Sequence, residues 1–183
     1  EFSRIYANSE NSIIFWGMGV SQHVHGTDNS RCLIALSLIT GHVGRPGTGL
    51  HPLRGQNNVQ GASDAGLIPM VYPNYQSVED VDIRNFFEDK WGRSLDPTKG
   101  LTVVEIMNRI VSSQMFGMYV MGENPAMSDP DQNHARLALS KLQHLVVQDI
   151  FFTETAWFAD VIFPASAQPE KAGTYTNSNR QVQ

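Results

Sequence analysis

Residues 118–164 read MYVMGENPAMSDPDQNHARLALSKLQHLVVQDIFFTETAWFADVIFP, and this stretch decides the fold. The predicted elements are a strand at 118–121, a helix at 129–142, a strand at 144–148, a short helix at 153–158 and a strand at 160–163. Strands and helices that alternate at these lengths indicate an α/β fold, a Rossmann-like parallel sheet with right-handed crossover helices. Within the long helix, we expect Ala135, Leu137, Ala138 and Leu142 to face the core.

A second strand–helix unit is predicted upstream of this stretch. Ser12–Trp16 is a short apolar run that ends at a glycine turn, Gly17–Gly19, and we interpret it as a buried strand entering that turn. A helix capped by Asp28 or Asn29 follows and stops at Gly41. Its polar side is thin, so we expect this helix to be well buried.

The pattern changes between Gly41 and Gly66. This segment holds seven of the chain's 15 glycines, and neither helical nor strand periodicity survives in it. We predict an ordered loop without regular structure, because glycines let the backbone approach a bulky ligand closely.

Two amphipathic helices are predicted between this loop and residue 118. The first has its apolar residues at Val78, Val81, Phe86, Phe87 and Trp91. The second starts near Thr102 and has an apolar stripe of Val104, Met107, Ile110 and Val111. Glu105 and Arg109 stand four residues apart, and we expect them to form a solvated ion pair on this helix.

Composition excludes several classes of protein. The chain has 183 residues, of which 41% are hydrophobic, enough to build a core. Only 17% are charged, against roughly 25% in a typical soluble domain, so we expect part of the surface to lie against other protein. The net charge of -5 and the lack of a Lys/Arg run argue against nucleic acid as a partner. No apolar run is long enough to span a membrane, and no direct membrane contact is expected.

The single cysteine and the chain ends carry two further expectations. Cys32 alone cannot form an intramolecular disulfide or a multi-cysteine zinc or iron–sulfur site within the chain, and we expect it to be a buried structural thiol. The chain starts at Glu1 and stops at Gln183 in a polar stretch. We therefore expect an interior piece of a longer polypeptide.

Three segments follow predicted strands: Gly17–Gly19, Gly122–Pro125 and Gln148–Ile150. Ligands of open parallel sheets bind beyond the carboxyl ends of the strands. The N–H groups, amides and carboxylates there suit the phosphate, base and sugar of a nucleotide. A nicotinamide dinucleotide is not supported, because Gln22 stands where a G-x-G-x-x-G motif needs its third glycine. Ordinary strand-end turns without a ligand are an equal alternative.

Arg54 lies in the glycine-rich loop with no acid within several residues, flanked by His51 and Gln56. An arginine on such a loop suits bidentate capture of a carboxylate or phosphate, although a plain surface arginine is the alternative. His23 and His25 could ligate a metal. No third ligand stands near them in the sequence, so polar loop roles are favoured and no metal ligand is assigned.

Several motifs appear in one order along the chain. They are Gly17–Gln22, Leu38–Gly44, His51–Ala62, Met121–Pro125, Val147–Ala156, Ala159–Pro164 and Glu170–Asn177. Together they resemble the catalytic (alpha) subunit of molybdenum-dependent formate dehydrogenases. That family belongs to the bis-molybdopterin guanine dinucleotide oxidoreductases, the dimethyl sulfoxide reductase superfamily. The resemblance covers all 183 residues.

The resemblance implies a domain organisation and a cofactor. Residues 1–56 would end one α/β cofactor domain and include the active-site loop. Residues 57–165 would form a second α/β domain that binds pterin guanine dinucleotide, and residues 166–183 would lead, extended, to the next domain. The implied cofactor is bis-molybdopterin guanine dinucleotide with molybdenum or tungsten, and an iron–sulfur cluster is expected outside this chain.

The resemblance also implies roles for individual residues. Arg54 matches the family's active-site arginine, which would hold formate while a hydride, or a proton and two electrons, moves to the oxidised metal centre. The residues implied in cofactor binding are Gly17, Gly19, Gln56, Gly122, Glu123, Asn124, Ser128, Gln148 and Asp149. Cys32 does not match the family's metal-ligating cysteine or selenocysteine, so we expect these 183 residues alone to be inactive.

The implied partners are formate, the rest of the catalytic subunit and electron-transfer subunits, and the implied location is the cytoplasm. Two alternatives stay open. The parent could be a molybdopterin oxidoreductase with another substrate or a non-catalytic electron-transfer subunit. The chain could instead be an autonomous nucleotide-binding α/β module.

Overall fold

A computed structural model describes residues 1–177 and 179–183. The chain divides into two compact units. The first comprises Glu1–Gln60 with Asn177–Arg180, and the second comprises Gly61–Thr176 with Gln181–Gln183. Parallel strands joined by helices occur in both, which confirms the α/β class.

The first unit is built around two parallel strands. They are β1 (Ile13–Trp16) and β2 (Gly49–Pro52), with Ile13 opposite Gly49 and Trp16 opposite Pro52. The helices of this unit are α1 (Phe2–Asn8), α2 (Met18–Ser21) and α3 (Gly26–Ile39), and α4 (Val59–Asp64) begins at its end and continues into the second unit. The prediction of a loop without regular structure between Gly41 and Gly66 was therefore wrong. β2 forms there because Gly49–Pro52 pairs with β1, and such a long-range partner leaves no local periodicity.

The strand predicted at Ser12–Trp16 forms, but the burial predicted for the first unit does not. Ile13 and Phe15 on β1 are exposed, and Ile39 at the end of α3 is 81% exposed. Cys32 is exposed as well, so the prediction of a buried thiol was wrong. The apolar residues of α3 are spread around the helix, and the neighbouring elements cover only part of it.

The ends of α3 were predicted with mixed success. Gly41 follows the helix in a left-handed conformation, with φ of +72°, as predicted for its stop. The helix begins earlier than expected, at Gly26 after His25, so that Asp28 lies in its first turn. Neither Asp28 nor Asn29 is the N-cap.

A polar cluster lies at the centre of the first unit. The Tyr6 hydroxyl and the Ser37 hydroxyl are 2.9 Å apart, and the Tyr6 ring meets the His42 ring edge to face at 4.8 Å. His42 Nε2 lies 3.0 Å from the Tyr6 carbonyl oxygen, and Arg45 Nη2 donates to His42 Nδ1 at 3.3 Å. All three clustered side chains are buried, so this unit is held by hydrogen bonds more than by apolar packing.

The second unit opens with a short antiparallel hairpin and two helices. They are β3 (Val71–Tyr72), β4 (Gln76–Ser77), α5 (Val81–Trp91) and α6 (Val103–Val111). Both predicted helices form, and Thr102 caps α6 as expected. The Glu105 carboxylate accepts from the Thr102 backbone N–H and hydroxyl at 2.8 and 2.7 Å. Among the described residues it forms no ion pair with Arg109, so that prediction was wrong; the capping box takes its place.

A three-stranded parallel sheet forms the rest of this unit, in the order β5, β6, β7. Its strands are β5 (Gly117–Met121), β6 (His144–Asp149) and β7 (Val161–Pro164). The three predicted strands and their parallel pairing are confirmed, and the two predicted helices are shorter than expected. The helix predicted at 129–142 forms as α8 (Gln132–Lys141), which Asp131 caps by accepting from the His134 N–H at 3.0 Å, and a short helix, α7 (Pro125–Ser128), precedes it where none was predicted. A single 3-10 turn, Ala156–Phe158, connects β6 to β7.

The apolar core of the second unit lies on this sheet. Its buried residues are Val120, Ala126, Leu139, Leu145, Val147 and Ala156, with Met107, Ile110 and Ala138 in an adjoining cluster. Two residues predicted to face the core, Leu137 and Val104, are exposed. Each lies off the stripe that the neighbouring buried residues of its helix define. No helix in the described part of the chain is long and apolar enough to cross a bilayer.

Candidate functional site

The carboxyl ends of β1 and β2 meet at one edge of the first unit. The backbone N–H of Leu53 donates to the Trp16 carbonyl at 2.7 Å, which continues the strand pairing into the loop after β2. Gly55 lies directly against the Met18 side chain, so a side chain at position 55 would displace the flexible end of Met18. The structure therefore brings the Gly17–Gly19 segment and the Arg54–Gln56 loop together.

The Arg54 guanidinium is available to an anion. The side chain is exposed, and its Nη2 donates to Gln60 Oε1 at 3.1 Å. Gln60 is neutral, and no described carboxylate forms an ion pair with Arg54. Gln56, two residues on, is exposed as well. An uncompensated planar cation of this kind can bind a carboxylate through two parallel hydrogen bonds.

The glycine turn after β1 is the start of a short helix. Gly17 precedes α2 and Gly19 lies within it, and nothing stands within 4 Å of where a side chain would be at either position. His23 Nε2 lies 2.7 Å from the Gly19 carbonyl oxygen, so this ring nitrogen is hydrogen-bonded within the protein. In the described part of the chain, His23 and His25 have no cluster of further metal-ligating side chains around them.

The carboxyl ends of β5 and β6 form a second candidate site, in the second unit. The Gly122 N–H donates to the Gln148 carbonyl at 2.9 Å, and Gly122 has a φ of +64°, which suits only glycine well. Gln148 is held from both sides, because its Oε1 accepts from the Tyr119 hydroxyl at 2.6 Å and its Nε2 donates to the Pro164 carbonyl at 3.2 Å. The Gln148 amide is therefore fixed across three neighbouring strands.

Asn124 is the centre of a hydrogen-bond network between the two loops at this edge. Its Oδ1 accepts from the Thr155 hydroxyl at 2.8 Å and from the Thr155 N–H at 3.1 Å. Its Nδ2 donates to Glu154 Oε2 at 2.7 Å. Its carbonyl accepts from the N–H groups of Met127 and Ser128, both at 2.9 Å. Most of the hydrogen-bonding capacity of Asn124 is thus used within the protein.

Three predicted residues at the same edge keep polar groups open. Glu123 and Ser128 are exposed, and their side chains form no hydrogen bond with another described residue. Asp149 is half-buried, and its Oδ1 accepts from the Ile150 N–H at 2.6 Å, which leaves the other oxygen for a ligand. The exposed Glu123 and Ser128 side chains and one oxygen of Asp149 are therefore open at this edge, and nothing lies within 4 Å of a side-chain position at Gly122.

One buried atom at this edge lacks a partner. Thr153 Oγ1, in the loop after β6, is buried and forms no hydrogen bond with any described residue. Buried hydroxyls are normally satisfied, so an orphan here indicates a missing partner. Open carboxylates suit the donor edge of a purine and the hydroxyls of a ribose, and the Thr153 hydroxyl suits either sugar or phosphate. The donors and acceptors present fit a nucleotide.

Sequence reasoning missed Glu154 and Thr155. Thr155 is completely buried, and its Oγ1 also accepts from the Ala126 N–H at 3.1 Å. The hydrogen bond from Asn124 holds the pKa of Glu154 below its usual range, and Arg136 acts in the same direction. Burial raises the pKa of Asp129, beyond α7. The polar triplet Thr153–Thr155 between aromatic residues was the available signal.

Comparison with known proteins gives a consistent result over the whole chain. The family model described as Molybdopterin oxidoreductase matches residues 1–183. The F420-dependent formate dehydrogenase subunit alpha of Methanocaldococcus jannaschii is 50% identical over 183 residues, which is all of this chain and 27% of that protein. The F420-dependent formate dehydrogenase 2 subunit alpha of Methanococcus maripaludis is 45% identical over 184 residues, with the same coverage. The probable oxidoreductase YjgC of Bacillus subtilis is 44% identical over all of this chain and 19% of its own length.

Proposed function

The chain belongs to the molybdopterin oxidoreductase family, and we propose that its full-length parent oxidises formate to carbon dioxide, with Arg54 holding the formate anion. The chain spans 27% or less of the length of the three relatives compared above. The activity, substrate and partners proposed here therefore concern the parent protein. Two of these relatives are named formate dehydrogenases, which supports formate as the substrate.

The single observation that carries the proposal is the open guanidinium of Arg54. It stands on a strand-end loop beside the Gly17–Gly19 segment. Among the described residues, the one side chain that accepts a hydrogen bond from it is the neutral Gln60 amide. Formate is a small carboxylate, and a guanidinium fork can bind both of its oxygens at once. Holding the anion in one orientation supplies proximity, and the fixed positive charge offsets the carboxylate.

We assign cofactor binding to the residues predicted for it. They are Gly17, Gly19 and Gln56 in the first unit, and Gly122, Glu123, Asn124, Ser128, Gln148 and Asp149 in the second. The open carboxylates and the orphaned Thr153 hydroxyl fit the guanine nucleotide end of a pterin dinucleotide, which supports that form of the cofactor. When bound, the molybdopterin group would supply the acceptor for the hydride, or for the proton and two electrons, that formate loses as it becomes carbon dioxide.

The proposal extends to the domain bounds, the metal, the partner subunits and the location. We propose that residues 1–56 are the end of one cofactor domain and that residues 57–165 form a second cofactor domain. Residues 166–183 would be an extended segment that leads to the next domain. The metal would be molybdenum or tungsten, and an iron–sulfur cluster and the metal's protein ligand would lie elsewhere in the parent. Electron-transfer subunits and a cytoplasmic location complete the proposal.

The test is formate-dependent dye reduction by the full-length parent protein, expressed with cofactor assembly and with its molybdenum and tungsten quantified. The proposal predicts activity with about one metal per chain. Metal without formate activity would contradict the substrate and favour a relative that acts on another compound. A protein that contains no metal and shows no activity would favour a non-catalytic subunit or a nucleotide-binding module.

A further inference from the structure

We propose that Thr155 is a positioning residue whose buried hydroxyl, with the Glu154 carboxylate, locks the turn after β5 to the loop after β6 and so sets how tightly the cofactor's nucleotide end is held. The inference rests on the proposed function, because it takes these two loops as the nucleotide site. Neither residue needs to touch the ligand for this role.

The Thr155 hydroxyl joins three parts of the unit at one buried point. It donates to Asn124 Oδ1 at 2.8 Å and accepts from the Ala126 N–H at 3.1 Å, while the Thr155 N–H donates to the same Asn124 oxygen at 3.1 Å. Both Thr155 and Ala126 are fully buried, so water cannot replace these bonds. Loss of the hydroxyl would leave the Ala126 N–H without an acceptor.

Glu154 supplies the second attachment, at the exposed side of the same turn. Its Oε2 accepts from Asn124 Nδ2 at 2.7 Å, so the amide is gripped at both ends by consecutive residues of one loop. From α8, Arg136 Nε donates to the Ala126 carbonyl at 2.9 Å. The start of α7 is therefore hydrogen-bonded both to the loop after β6 and to α8.

This grip determines how Glu123 is presented. Gly122, before it, is bonded to Gln148 at 2.9 Å, and Asn124, after it, is bonded to Thr155 and Glu154. With both neighbours fixed, the backbone at Glu123 is held in place before a ligand arrives, while its exposed carboxylate stays open. A preorganised site loses less conformational entropy on binding, so its ligand dissociates more slowly.

The experiment compares two variants of the full-length holoenzyme, Thr155→Val and Thr155→Ser. Valine keeps the shape and removes the hydroxyl, whereas serine keeps the hydroxyl. Each preparation is incubated with a competing guanine nucleotide, and the GMP that acid releases from the protein-bound cofactor is measured over time. By analogy with outer-shell partners in metal sites, we expect cofactor loss about 10-fold faster in Thr155→Val and within about twofold of wild type in Thr155→Ser. Equal rates in all three proteins would overturn the proposal.

A milder variant keeps the test decisive if Thr155→Val fails to fold. Glu154 is exposed, so Glu154→Ala should fold, and we expect it to lose cofactor about threefold faster than wild type. Glu79→Ala, an exposed glutamate in the same unit, is the matched control and should match wild type. A Glu154→Ala rate equal to that control would overturn the Glu154 part and, where Thr155→Val is unfolded, the whole proposal.

Failure of this inference and failure of the proposed function give different results. Wild-type enzyme that carries GMP but does not oxidise formate would contradict the substrate and leave the Thr155 comparison readable. Wild-type enzyme that oxidises formate while the variants keep their GMP would overturn only the positioning role. Wild-type enzyme without GMP would overturn both the nucleotide form of the cofactor and this inference.

Discussion

The loop after β2 leaves its arginine open, whereas the turn after β5 consumes most of its polar groups in internal hydrogen bonds. Arg54 has a single described hydrogen bond, to the neutral Gln60 amide. Asn124 has bonds to Thr155, Glu154, Met127 and Ser128. Both loops follow parallel strands, so the difference lies in the side chains and not in the position within the fold.

This difference matches two kinds of ligand. A substrate that must enter and leave in every turnover is served by an exposed charge that no internal acid neutralises. A large cofactor that stays bound is served by a loop whose backbone is fixed in advance, because less entropy is lost when it binds. The two units also differ in packing: the first is centred on the buried Tyr6, Ser37 and His42 cluster, and the second on an apolar sheet core.

The largest expected effect concerns Arg54 in the full-length enzyme. Arg54→Ala removes the charge that would orient formate, and we expect kcat/KM for formate to fall about 100- to 1000-fold, or about 3–4 kcal/mol. Steady-state dye reduction over a range of formate concentrations measures it. Arg31→Ala is the matched control, since Arg31 is an exposed arginine of the same unit paired with Asp28. If both variants keep normal kcat/KM, Arg54 has no part in catalysis.

The second prediction contrasts the packing of the two units. Leu145 in β6 is buried, whereas Leu38 in α3 is 61% exposed. In the 183-residue chain, Leu145→Ala should lower the free energy of unfolding by about 3 kcal/mol, through lost transfer energy and the cavity left behind. Leu38→Ala should change it by less than about 0.5 kcal/mol. Urea unfolding followed by circular dichroism checks both, and equal losses would show that the assigned core is incorrect.

The third prediction concerns the polar centre of the first unit. Because Arg45 can only donate, His42 Nδ1 accepts, and His42 Nε2–H donates to the Tyr6 carbonyl. His42→Ala would leave buried groups without partners, and we expect a loss of about 2 kcal/mol in the free energy of unfolding. His25→Ala, at an exposed histidine, serves as the control. The same urea titration measures both, and a His42→Ala value no larger than the control would remove His42 from the centre of this unit.

The smallest effect is a pH dependence at Glu154. The pKa of this carboxyl is lowered in the folded protein by its hydrogen bond from Asn124. Between the folded and unfolded pKa values the unfolded chain binds more protons, so stability rises with pH across that window. The contribution is present above the ordinary glutamate pKa and is lost as the pH falls through the lower folded value. Unfolding measured from neutral pH into the acid range should show a shallower acid loss in Glu154→Gln, and identical pH profiles would contradict this assignment.

The decisive stretch at 118–164 was predictable because its signals are local. Apolar runs such as His144–Gln148 are bounded by polar turns. The rule that parallel strands end at one edge predicted that Gly122 and Gln148 lie close together. In the structure the Gly122 N–H donates to the Gln148 carbonyl at 2.9 Å.

The features that the sequence did not predict depend on residues that are distant in sequence. Pairing of Gly49–Pro52 with β1 created a strand where no local periodicity exists. The exposure of Cys32 and Ile39 depends on which elements cover α3, and that information is absent from the helix itself. The Asn124–Thr155 contact spans 31 residues, so neither the burial of Thr155 nor its three hydrogen bonds to Asn124 and Ala126 could be derived from the residues around it.

The most direct test of the division of labour between the two loops is turnover per bound cofactor in Arg54→Ala and Asp149→Ala. Both variants would be prepared as full-length enzyme, with GMP content and formate-dependent dye reduction measured on the same sample. We predict that Arg54→Ala keeps its GMP and loses turnover per GMP, whereas Asp149→Ala loses GMP and keeps the turnover of what is left. Loss of GMP in Arg54→Ala in proportion to its loss of activity would contradict the account.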